Sequence, residues 1–168
     1  RARDQASRGA GVNVCVSDTG GYLTHPELNI ISSVNTINPS KSANDDNGHG
    51  THVSGTIAAR DNTIGVVGVA PEAKLIIAKG LSRSGSGFAS DLAETIDECR
   101  VRGGRVVNMS WGSSAPSQTI HDAIIRAYNA GIILVGAAGN SSGAVGYPAA
   151  HPEVVAVSAI TQSYSLAS

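Results

Sequence analysis

The stretch DDNGHGTHVSGTIAA, residues 45 to 59, sets two histidines among glycines at the start of a small-residue run that reads as a helix. Two other polar residues stand in comparable places. Asp18 closes an apolar run in VCVSDTGG, and Asn140 follows another in GAAGN. An Asp, a His and an Asn together suit acyl transfer. An imidazole can act as general base near neutral pH, a buried carboxylate can fix its tautomer and stabilise the imidazolium, and an amide N–H can donate to a developing oxyanion. Singly, each residue has a plainer explanation, Asp18 as a turn former and Asn140 as a left-handed turn residue. The reading therefore rests on their order and surroundings.

Two competing chemistries are weaker. His49 and His52 form an H-x-x-H pair, which invites zinc, but no third ligand has suitable spacing and the Glu of H-E-x-x-H is missing. His52 is read instead as a structural hydrogen-bonding residue. Gly20 and Gly21 turn the chain after Asp18 without the G-x-G-x-x-G spacing of a dinucleotide site.

The frame that must position these residues is visible in runs rich in Val and Ile: VNVCVS (12–17), AKLIIAKG (73–80), RVVNMS (105–110), IILVGAA (132–138) and EVVAVSA (153–159). Near-continuous apolar runs fit strands buried on both faces, hence a parallel sheet. Between them Phe88, Leu92, Ile96 and Cys99 recur at helical spacing, with Asp91 and Glu94 early and Arg100 and Arg102 late, as the helix dipole favours. Ile120, Ala123, Ile124, Ala127 and Tyr128 repeat the pattern, with Ser117 as N-cap and Gly131 as stop. The alternation predicts an α/β fold, a doubly wound, mainly parallel sheet with helices on both faces. Its active site lies at the carboxyl ends of the strands.

At 168 residues there is room for one domain with a real core. The net charge of −1, without a Lys/Arg stripe, argues against nucleic acid as a partner. No apolar run approaches the roughly 18 to 20 residues that cross a bilayer, so no membrane partner is expected. RARDQASRGAG lacks the apolar segment of a signal peptide, so if the protein is secreted its signal is expected to have been removed. Cys15 and Cys99 match no metal spacing; two buried thiols and a single disulfide both stay open, the latter fitting a secreted protein.

VCVSDTG, HGTHVSGTIAA, IGVVGVAP, NMSWG and GAAGN occur in the order and spacing of the subtilisin-like serine proteases, and the resemblance runs from about residue 9 to the end. It implies a secreted endopeptidase working through an acyl-enzyme, with Asp18 as triad acid, His49 as triad base and Asn140 as the oxyanion side chain. SGSGF (84–88) and SWG (110–112) resemble the two edges between which the family's extended polypeptide substrates lie. Gly85, Ser86, Gly87, Ser110, Trp111 and Gly112 would then bind substrate, their glycines leaving room for a third strand. A flexible loop is the alternative for SGSG. Trp111 stands where the family commonly has Leu, so its ring would reshape the apolar subsites.

RDNTIGVVG (60–68) resembles the family's calcium loop. Asn62 would offer an amide oxygen and Arg60, Ile64 and Val66 their carbonyls. Glu27 stands where the family usually has Asp, adding a carboxylate to a hard-oxygen set suited to a structural Ca²⁺. A metal-free connecting loop is the alternative.

The family's nucleophile sits in Gly-Thr-Ser-Met-Ala, and no Gly-Thr-Ser occurs here. Ser110 and Ser141 belong to matched segments in which the family's serine is not the nucleophile. The expectation is a partial peptidase domain over residues 1–168, inactive alone, whose remaining C-terminal part bears the serine and covers one face of the sheet. A non-catalytic peptide-binding module fits the missing serine but has no need of Asp18, His49 and Asn140 together. A nucleotide-binding domain fits the fold class alone. Ser17 and Gly21 depart from the aliphatic residues usual around the Asp motif, and Gly80 from the usual Val, where glycine weakens a strand.

Overall fold

The computed structural model describes residues 7–163 and Ser165. Six strands, β1 (Asn13–Asp18), β2 (Ile30–Asn35), β3 (Lys74–Lys79), β4 (Val106–Met109), β5 (Ile133–Ala137) and β6 (Val154–Val157), form one sheet in the order β2-β3-β1-β4-β5-β6. Every neighbouring pair is parallel. Three helices join them: α1 (His49–Ala58), α2 (Ala89–Val101) and α3 (Gln118–Asn129). All five expected strands form. The sixth, β2, is an edge strand whose IISSVN sequence interrupts the apolar pattern with Ser32 and Ser33. Its pairing with β3 supplies what local pattern does not.

Side-chain alternation along the central strands divides the core in two. Val14, Val16, Leu75 and Ile77 face one way and pack with Ala58, Val53 and Ile57 of α1. Cys15, Ile76, Ala78, Val107, Met109 and Leu134 face the other and pack with Ile96 of α2 and Ala123, Ile124 and Ala127 of α3. Helices therefore cover both faces, as a parallel sheet requires. The cover is uneven. On the α1 face, register carries Val14 across to Val106 and Ile133, and Val135 across to Val155. There Ile133, Val155 and Val157 are each more than half exposed.

Both expected ends of α3 hold. Ser117 caps α3 by accepting the Ile120 N–H, and Gly131, at φ 77°, follows its last residues. Phe88 differs from the helical reading. It is the N-cap of α2 with extended backbone and lies 79% exposed, so the buried face of the helix starts at Leu92 and runs through Ala93, Thr95 and Ile96 to Cys99.

The unusual residues Ser17 and Gly80 prove mutually adjusted. Buried Ser17 shares a 2.6 Å hydrogen bond with Thr95 of α2, and Trp111 Nε1 donates to both the carbonyl and the hydroxyl of Ser17. A β-carbon at position 80 would lie 2.7 Å from Thr95 Cγ2. Glycine at position 80 makes room for the threonine that satisfies Ser17.

Cys15 and Cys99 form a disulfide that ties β1 to α2 with Cα atoms 5.6 Å apart. Closing an 84-residue loop limits the unfolded chain, worth about 4 to 5 kcal/mol in the chain-entropy view. Replacing both cysteines with alanine should lower stability by about 2 to 5 kcal/mol, read from the urea midpoint of Trp111 fluorescence. An unshifted midpoint would contradict this role.

Candidate active site

The first turn of α1 docks on the end of β1. Asp18, the last residue of β1, has no solvent-exposed surface, and His49, the first residue of α1, reaches it through Nδ1 at 2.7 Å from Oδ1. The same oxygen accepts the Thr19 N–H at 2.7 Å. Asp18 Oδ2 is buried with no hydrogen-bond partner among the described residues. A carboxylate can only accept, so the proton of the imidazole resides on Nδ1 and the Nε2 lone pair is left free. With 48% of the His49 side chain in solvent, that nitrogen is open to a reactant.

Three side chains that local pattern did not single out hold this arrangement. A helix start leaves N–H groups without helical partners. Here Asn47 Oδ1 accepts the His49 N–H, Thr19 Oγ1 the Gly50 N–H and Asp45 Oδ2 the Thr51 N–H. Asp45 also accepts from Asn47 N, Gly48 N and the hydroxyls of Thr19 and Thr51. Desolvation opposes ionisation of Asp45, but the Gly48 N–H, the Thr51 hydroxyl and the neighbouring backbone donors outweigh it, holding the carboxyl well below its usual range. Only the acid placed three residues before Gly48 in DDNG hinted at this cap. Buried Lys79, opposite Asp18 in register, donates to Thr19 O, Leu81 O and Asp46 Oδ1, pinning the loops after β1 and β3 to the approach to α1.

Gly50 has a specific reason to be glycine. A β-carbon there would run into the carbonyl oxygen of Gly20, so only a bare residue lets α1 approach β1 this closely. Access for a reactant is a secondary benefit of its small size.

A groove of about 580 Å³ opens beside His49. Its lining includes all six residues expected to bind substrate, Gly85, Ser86, Gly87, Ser110, Trp111 and Gly112. Gly85 and Gly87 also answer internal demands. Gly85 has φ 77° in a turn closed by the bond from its N–H to Ser82 O, and a β-carbon on Gly87 would meet the Gly80 carbonyl. Asn140 lies beyond the carboxyl end of β5, exposed, and outside the lining of this groove.

The loop after α1 brings Glu27 and Asn62 together, Asn62 Nδ2 donating to Glu27 Oε2 at 2.8 Å. Asn62 Oδ1 accepts the Ile64 N–H, and Arg60 N donates to Glu27 O. Glu27 and Asn62 thus stand side by side with the amide nitrogen, not its oxygen, toward the carboxylate.

The sequence matches the Subtilase family over residues 9–168, on a parallel α/β sheet with the paired Asp18 and His49 at its strand ends. The chain belongs to the subtilase family. It is 44% identical over 168 residues to subtilisin Savinase of Lederbergia lenta, covering 99% of this chain and 62% of that protein. To a thermostable alkaline protease of Halalkalibacterium halodurans it is 46% identical over 169 residues, covering 100% of this chain and 46% of that protein. The minor extracellular protease Epr of Bacillus subtilis is 41% identical over 162 residues, 95% of this chain and 25% of its own length. This subtilase chain spans less than two thirds of the length of these relatives.

Asp45→Ala should unravel the docking turn of the subtilase chain, costing about 2 to 3 kcal/mol. Because the folded carboxyl lies below its ordinary value of 3.8, its stabilisation is complete above about pH 4 and is lost as pH falls further. Denaturation midpoints measured against pH should therefore steepen in the parent below about pH 4 and flatten in Asp45→Ala; parallel curves would exclude the cap.

Proposed function

We propose that this chain supplies the acid, the base and one oxyanion donor of a serine endopeptidase that cleaves extended polypeptides through an acyl-enzyme, its serine belonging to residues outside this sequence. The observation that carries the reading is the His49 Nδ1–Asp18 Oδ1 bond beside the groove. His49 Nε2 takes the serine proton as the oxygen attacks the scissile carbonyl. The imidazolium, stabilised by buried Asp18, then gives that proton to the leaving amine. The Asn140 amide donates to the oxyanion, and water repeats the sequence to release the acyl group. Substrate lies as a strand between residues 85–87 and 110–112, with the Trp111 ring, locked by Ser17, shaping the apolar subsites.

The remainder of the domain is proposed to cover the exposed Ile133, Val155 and Val157 as well as to bring the serine. The relatives' greater length supports this. Secretion is supported by the disulfide and by a relative named as an extracellular protease. Among the described residues no helix is long and apolar enough to cross a membrane. Calcium is proposed as a structural ion held by Glu27, Asn62 and the carbonyls of Arg60, Ile64 and Val66, where it would neutralise the carboxylate and stiffen the loop.

A serine-directed phosphonate should label the full-length protein once per molecule, and peptidase activity should fall with labelling. His49→Ala and Asp18→Asn should each lose about 10⁴-fold or more in kcat, the scale on which triad replacement acts in subtilisin. Asn140→Ala should lose about 10² to 10³, as the oxyanion asparagine of subtilisin does. Peptide binding without label or cleavage would replace the enzyme reading with a non-catalytic binding module. Chelation should lower the melting temperature by about 5 °C or more in the parent and not in Asn62→Ala, whereas unchanged parent melting would exclude the ion.

A further inference from the structure

A second cluster of titratable groups lies where α3 meets the segment leading into β6. His121, in the first turn of α3, and His151 stack with ring centroids 3.9 Å apart and planes 9° apart. His121 Nε2 lies 3.2 Å from Glu153 Oε2. One nitrogen of each ring and a Glu153 oxygen fall within 4.8 Å of one another. His151 is 8% exposed, packs with its ring tilted against Tyr147, and buries its Nε2 without a hydrogen-bond partner among the described residues. An unpaired buried nitrogen costs more than an ordinary hydrogen bond returns, so simple ring packing leaves this group unexplained.

We propose that His121, His151 and Glu153 form a site for a divalent transition cation of the zinc type. Two imidazoles and a carboxylate are a borderline-soft set that favours Zn²⁺ over Ca²⁺ and leaves a fourth position for water. The ion would accept the orphaned His151 lone pair. Burial and the neighbouring His121 push the His151 imidazole toward its neutral, ligating form, and the Glu153 carboxyl is held below its usual range by its own backbone N–H and by His121.

Tetrahedral zinc with bonds of about 2.0 to 2.1 Å needs its ligand atoms about 3.3 Å apart, and parallel rings must splay for both lone pairs to converge. His121 and Glu153, with side chains 26% and 19% exposed, have room to move, whereas His151 is fixed against Tyr147. His151, Tyr147 and Pro148 also line the groove beside His49, so the ion would brace the back of that wall. This site is separate in chemistry from the oxygen-only loop at Glu27 and Asn62.

The test uses the full-length protein, stripped of metal and returned to calcium-containing buffer, titrated calorimetrically with Zn²⁺ alone. One equivalent should bind with a Kd of about 10 μM or tighter, and Co²⁺ in its place should give the intense visible bands of a tetrahedral nitrogen-ligated site. His121→Gln and Glu153→Gln, both partly exposed and conservative in size, should each weaken binding about tenfold or more. Zn²⁺ should raise the melting temperature of the parent but not of either variant, which also reports whether each variant is folded. His52→Gln, on exposed α1 surface, should bind as the parent does. No uptake by the parent, or undiminished uptake by folded His121→Gln and Glu153→Gln, would overturn the site.

Discussion

A carboxylate with no access to solvent must be met by donors, and Asp18 is met by the Thr19 N–H and by His49. Much of the surrounding structure follows from bringing that imidazole to that strand end. The helix bearing His49 must begin against β1, so its first N–H groups need partners from outside the helix, which Asn47, Thr19 and Asp45 provide. Close approach then forbids a side chain at position 50. Lys79 completes the junction by joining three segments with one buried ammonium. The Asp18–His49 geometry is thus a by-product of a well-satisfied helix start.

The sheet behind this junction has two unlike halves. Around β1 and β3, side chains on both faces are covered by helices of this chain. Toward β5 and β6 only the α2 and α3 face is covered, and the other shows valine and isoleucine to solvent. A parallel sheet in a finished domain buries both faces. The asymmetry and the free Nε2 of His49 both support the proposed further polypeptide on the α1 side carrying a nucleophile.

Much of this was legible in sequence, for identifiable reasons. Five strands declared themselves because burial on both faces forces near-continuous Val and Ile; β2 did not, because an edge strand tolerates Ser32 and Ser33 and is specified by β3. Asp18 and His49 were readable because one ends an apolar run and the other opens a helix. Asp45, Thr19 and Lys79 were not, since their roles arise from hydrogen bonds that cross between segments. Ser17 and Gly80 read as weaknesses in sequence because Thr95, which fits between them, is distant in the chain. His121 and His151 are not linked by local pattern because 30 residues of chain separate them and only the meeting of α3 with the segment before β6 stacks their rings.

The central claim is that buried Asp18 accepts the Nδ1 proton of His49 and thereby leaves Nε2 as the base. A proton NMR spectrum of the ¹⁵N-histidine-labelled protein tests this most directly, since a proton held in a short imidazole–carboxylate bond resonates far downfield and exchanges slowly. The account predicts such a signal on Nδ1 of His49, lost in Asp18→Asn and in Gly50→Ala, where the helix can no longer approach β1. A signal that persists in Asp18→Asn, or a His49 protonated on Nε2 in the parent, would contradict it.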